Sequence, residues 1–195
     1  VAGPSNDGVS ALVVIDMLNR YEHDDADRLI DSVREALPAI QRIVERARER
    51  DALTIYVNDN YGDWGAGRAE LCEAALRGGN RALVEPVLPP EGVPFLVKAR
   101  HSAFFETQLE YLLRRHEVER IVLVGQVTEQ CILYTALDAY VRHYRVAVPR
   151  DAVAHIHPEL ATAALRMMEL NMGAEVVLAA DCELGRLPRI VQGKT

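Results

Sequence analysis

A chain of 195 residues, 49% hydrophobic and 26% charged, has material for one good core and little for a second. Its net charge of −7 argues against a grip on nucleic acid, which needs a basic face; the arginines Arg42, Arg46, Arg48 and Arg50 are interleaved with Glu45 and Glu49 as a solvated helix face. No apolar run approaches a membrane span, and the three cysteines Cys72, Cys131 and Cys182 are too scattered for a disulfide framework, so a reducing cytoplasm is the expected compartment.

Residues 1–10 hold Gly, Pro, Ser, Asn and Asp and read as an N-terminal tail without the apolar core of a signal peptide. A first buried strand is expected over 11–15, then a helix over 26–50 with Leu29, Val33, Leu37, Ile40 and Val44 on one face. A second strand follows over 53–57. The glycine- and proline-rich stretch 61–92 reads as a long loop with a turn of helix near 69–76. Further strands are expected over 94–97, 120–124, 145–148 and 175–178, alternating with helices over 106–115, 129–143 and 158–171. Continuous apolar strands alternating with helices predict one domain over 11–185, followed by a tail over 186–195. Its expected fold is a Rossmann-like three-layer α/β/α, with a doubly wound, mainly parallel sheet of about six strands.

Such sheets bind ligands at the carboxyl ends of their strands. Three reactive side chains fall there: Asp16 after the first strand, Lys98 after the third, and Cys131 a short turn after the fourth. Singly, each has a structural explanation: a helix cap, a solvated cation, a small buried thiol. Together they form a nucleophile, a base and a cation on one sheet edge. Thr128 is the expected N-cap of the next helix, placing Cys131 in its first turn, where the helix dipole and Lys98 would favour the thiolate. Backbone N–H groups there would face an oxyanion, and Asp16 would serve as general base and acid.

The segment Gly125-Gln126-Val127-Thr128-Glu129-Gln130-Cys131-Ile132, with Thr135 to Ala139 after it, resembles the nucleophile motif of the isochorismatase-like cysteine hydrolases. Lys98 with Ser102-Ala103-Phe104 and Thr107, Asp16-Met17 with Asn19, and Val146, Val148, Asp151 and Ala152 resemble the family's other motifs in the right order. The resemblance spans nearly the whole chain, 11–178. It implies an Asp16–Lys98–Cys131 triad, a cis peptide at Gln126–Val127, and an oxyanion hole from the N–H groups of Val127 and Cys131. It also implies a homo-oligomer, dimer or tetramer. Leu18 stands where the family usually has Gln, and Arg20 where it has an acid.

The cysteine resembles the amidase members rather than those that hydrolyse the vinyl ether of isochorismate. Nicotinamidases carry an Asp-x-His pair and further histidines for a metal. Here Asn58 to Trp64 supplies Asp59 and Asp63, and no histidine precedes His101 in that region, so no metal or other cofactor is expected and nicotinamide is disfavoured. His23, His155 and His157 lack the donor set of a metal site, and Cys72 and Cys182 read as structural. Tyr21, Asn60, Tyr61, Trp64, Phe104 and Phe105 are the expected pocket wall for a small, partly apolar substrate. The reading is a hydrolase of a small amide, ureide or carbamoyl compound through a Cys131 thioester. The rivals are vinyl ether cleavage with Cys131 as spectator, and a non-catalytic ligand or redox sensor.

Overall fold

The computed structural model describes residues 8–185. The sheet is built from β1 (Ser10–Ile15), β2 (Leu53–Asp59), β3 (Phe95–Lys98), β4 (Arg120–Gln126), β5 (Arg145–Pro149), β6 (Val153–Ala154) and β7 (Glu175–Val177). All pairings are parallel, in the order β3-β2-β1-β4-β5-β7, and the short β6 continues beside β4 where β5 ends. The helices are α1 (Ala26–Glu49), α2 (Arg68–Arg77), α3 (Arg81–Val84), α4 (Leu109–Arg115), α5 (Leu133–Val141) and α6 (Pro158–Met172), with a π-helical turn at Thr128–Ile132 ahead of α5.

Alternation along β1 divides the core. Leu12 and Val14 face α1, packing with Leu29, Val33, Leu37 and Ile40. Ala11, Val13 and Ile15 face the opposite layer, with Leu109 and Leu113 of α4, Ala136 of α5 and Met168 of α6. Burial on both faces explains why these strands are continuously apolar. The expected three-layer fold is the observed one, with a seventh strand too short to show a pattern.

Several boundaries move. Ser10, assigned to the tail, pairs with Arg120, and Val9 accepts from the N–H groups of Glu119 and Arg120, so the sheet begins inside that stretch. The remaining tail residues, 1–7 and 186–195, lie outside the described ones. The helix expected from Glu106 starts at Leu109, because Glu106 takes a left-handed φ of 53° and Thr107 Oγ1 accepts from the Leu109 N–H. Within 61–92, α3 and a 3-10 turn at Glu85–Val87 follow α2, buried through Leu83, Val84 and Val87. Among the described residues no helix is long and apolar enough to cross a membrane.

Candidate active site

The carboxyl ends of β1, β2, β3 and β4 meet at one point of the sheet. Ile15 pairs with Val57 on one side and Gly125 on the other, and Asp59 pairs with Lys98. At Gly125 the strands come so close that a Cβ would lie 2.1 Å from the Ile15 carbonyl oxygen, and its φ is +115°. Only glycine fits both conditions. Asp16 follows with a left-handed φ of 56°, which turns the chain out of the sheet. The amide of Asn58 clamps that exit, donating to the Leu18 carbonyl (3.2 Å) and accepting from the Leu18 N–H (2.9 Å). Gln126 holds it from the other side, donating to the Asp16 carbonyl oxygen.

Asp16, Lys98 and Cys131 are brought together. Lys98 Nζ lies 2.9 Å from Asp16 Oδ2 and 3.6 Å from Cys131 Sγ, with its side chain wholly buried. Asp16 and the thiol lie near enough that each influences the other's ionisation. A further carboxylate, Asp59, lies 3.1 Å from Lys98 Nζ, while its N–H donates to Asp16 Oδ1 at 2.7 Å. In the sequence Asp59 stands out only as a possible metal donor. The available signal was that it closes β2 as Asp16 closes β1. Asp59 is held by Lys98 and by the Tyr61 N–H (2.9 Å), and Asp63 Oδ1 accepts from the Gly65 N–H. Among the described residues no group of three or more His, Cys, Asp or Glu side chains is arranged to hold a metal.

The electrostatics differ from the sequence expectation. Burial, then the charge of Asp16, pushes the Cys131 thiol well up, although Lys98 and the Val127 N–H pull the other way. Burial also raises Asp16, against the opposing pull of Lys98. Burial alone would lower Lys98, but Asp16, Cys131 and Asp59 more than offset it and keep the cation protonated. Burial therefore disfavours the charged form of both Asp16 and Cys131. The helix start does not override this. Val127, not Thr128, occupies the N-cap, and Thr128 donates its hydroxyl to the Ala154 carbonyl at 2.8 Å, pinning the turn to β6. The Gln126–Val127 peptide is cis.

Of the expected wall, Tyr61 and Tyr21 reach the cluster. Tyr61, at a left-handed φ of 49°, is half exposed on its outer side; desolvation on the side packed toward the cluster, then the charges of Asp16, Asp59 and Cys131, raises its phenol far above the usual tyrosine value. Tyr21 is buried, its hydroxyl 3.5 Å from Gln126 Oε1, and desolvation pushes it up to about 12. Asn60 is buried, its N–H donating to the Lys98 carbonyl and its side chain closing a turn with Gly62. Beside it a cavity of about 120 Å³ is lined by Leu18, Arg20, Asn60, Tyr61 and α2. The other three fall elsewhere. Phe104 is a core residue, stacked on Tyr144 and under the Arg142 guanidinium, because Thr135 and Ser102 fix the turn that carries it. Phe105 lies in a shallow depression with His101 and Tyr134, and Trp64 is 81% exposed.

His155 and His157 engage Ser32 and Arg28 on the α1 side, and Glu129 accepts from the backbone N–H groups of Ile156 and His157. Cys182 is buried beside Arg120.

Residues 10–181 match the Isochorismatase domain family model. The Bacillus subtilis (strain 168) isochorismatase family protein YaaI is 34% identical over 166 residues, covering 85% of this chain and 92% of that protein. The maleamate amidohydrolase of Pseudomonas putida is 30% identical over 158 residues, covering 76% and 74%. The crystal structure of N-carbamoylsarcosine amidase from Thermoplasma acidophilum superposes with a TM-score of 0.67 at 27% identity, covering 90% and 99%. A family model spanning most of the chain, together with a relative of this identity over nearly its whole length, establishes that the chain belongs to the isochorismatase family of hydrolases.

Proposed function

We propose that this chain is a cysteine hydrolase that cleaves the C–N bond of a small amide, ureide or carbamoyl substrate through a thioester on Cys131. The observation that carries the reading is the wholly buried Lys98 ammonium set between Asp16 (2.9 Å) and the Cys131 sulfur (3.6 Å). The relatives named for maleamate and N-carbamoylsarcosine hydrolysis support the bond class.

In this mechanism Asp16, as carboxylate, takes the thiol proton as Cys131 sulfur attacks the carbonyl carbon. The N–H groups of Val127 and Cys131 take the oxyanion. Asp16 then gives its proton to the nitrogen, the C–N bond breaks and the amine leaves. Water attacks the thioester, Asp16 removes its proton, and that proton returns to sulfur as the acid product departs. Lys98 makes a carboxylate and a thiolate tolerable side by side. The raised Cys131 thiol fits this order: deprotonation accompanies attack rather than preceding it. The cavity lined by Leu18, Arg20, Asn60 and Tyr61 takes the far end of the substrate, and its size limits that end to a few heavy atoms.

The test is Cys131→Ala assayed on a panel of small amides, ureides and carbamoyl compounds. Loss of turnover, with a thioester trapped on Cys131 of the unmutated protein, is the expected result. Full activity of Cys131→Ala on that panel would overturn the thioester reading.

A further inference from the structure

Asp59, the last residue of β2, makes three contacts around the site. Its N–H donates to Asp16 Oδ1 at 2.7 Å, its Oδ2 lies 3.1 Å from Lys98 Nζ, and its Oδ1 accepts from the Tyr61 N–H at 2.9 Å. It therefore touches Asp16, Lys98 and the backbone of the Tyr61 turn. Anchoring the turn does not require the charge, since an asparagine would make the same turn. We propose that Asp59 is a positioning residue, whose charge divides the pull of Lys98 so that Asp16 stays basic enough to take the Cys131 proton.

One ammonium facing one carboxylate would hold that carboxylate as a tightly paired, weakly basic anion. A second carboxylate on the same ammonium repels negative charge on Asp16 and Cys131 alike, which favours their protonated forms. The titratable groups facing Asp59 are Asp16 beyond β1, Lys98 on β3 and Tyr61 on its own loop, with Tyr21 and Cys131 across the site. Tyr61 stays neutral over the accessible range, so the response belongs to the Asp16–Cys131 pair. The same carboxylate ties the Tyr61 turn to the cation. This inference rests on the proposed role of Asp16 and Cys131 as base and nucleophile.

The experiment measures the rate of iodoacetamide alkylation at Cys131 against pH, with mass-spectrometric mapping, in the unmutated protein, Asp59→Asn and Asp59→Glu. Asp59→Asn keeps an acceptor for the Tyr61 N–H and removes only the charge. Its alkylation midpoint is expected to fall by about one pH unit, the effect of losing one nearby anion in a partly screened site. Asp59→Glu is expected to move it back. A profile for Asp59→Asn that superposes on the unmutated one overturns the proposal, since a purely structural anchor would alter stability without moving the midpoint. Asp59→Ser, an uncharged acceptor, gives the same reading if Asp59→Asn does not fold. Alkylation needs no substrate. A shifted midpoint in a protein that hydrolyses no amide would therefore defeat the functional reading alone, and an unshifted one in an active amidase would defeat this inference alone.

Discussion

Lys98→Met would remove the cation around which the site is assembled and leave its partners in place. Lys98 Nζ sits 2.9 Å from Asp16 and 3.1 Å from Asp59, its own side chain wholly buried and that of Asp16 7% exposed. At an effective dielectric near 20, each such contact is an attraction of about 5 kcal/mol, before the cost of desolvating the ammonium is returned. Breaking a buried pair by removing one member typically costs about 3–5 kcal/mol, because the other charge is stranded. That is a large share of the roughly 5–15 kcal/mol that holds a domain together. The cost should also depend on pH. The carboxyl of Asp16 is already raised by burial, with Lys98 opposing, so losing Lys98 raises it further. A carboxyl raised in the folded state contributes its full stability below the unfolded value near 4, and loses it as pH rises through the folded value. Urea unfolding followed by circular dichroism should therefore show a larger loss at pH 8 than at pH 5. A loss under about 1 kcal/mol, or one equal at both pH values, would refute the reasoning.

Gly125→Ala should be among the most damaging single-methyl changes in the chain, costing more than about 3 kcal/mol, because the new Cβ would meet the Ile15 carbonyl oxygen at 2.1 Å at a φ of +115°. A melting temperature within a few degrees of the unmutated protein would contradict the close strand approach. Phe104→Ala should cost about 3–5 kcal/mol through its lost packing on Tyr144 and Arg142, whereas Trp64→Ala, 81% exposed, should stay within about 0.5 kcal/mol. Chemical denaturation of the two variants side by side checks the assignment, and a costly Trp64→Ala would show that its loop is packed in solution.

The strands, the alternation with helices and the sheet edge carrying Asp16, Lys98 and Cys131 were legible in the sequence, because a parallel sheet buried on both faces writes itself as short apolar runs with chemistry at their ends. The motif around Cys131 was equally legible, since its residues are neighbours in the chain. What the sequence could not carry was the outcome of competing long-range terms. A helix start and a lysine argue for thiolate at Cys131, and only the burial and the adjacent Asp16 carboxylate reverse that balance. Phe104 and Phe105 are adjacent, yet one enters the core and the other faces solvent, because the bonds from Thr135 and Ser102 fix the turn between them. Asp59 stood out in the sequence only as a possible metal donor, until β2 paired with β3 and set it beside Lys98 on one face. Local pattern determined which groups reach the sheet edge. Register and burial across strands far apart in sequence decided which of them touch and what charge they hold, because those energies depend on distance and solvent exposure, which no local window of sequence contains.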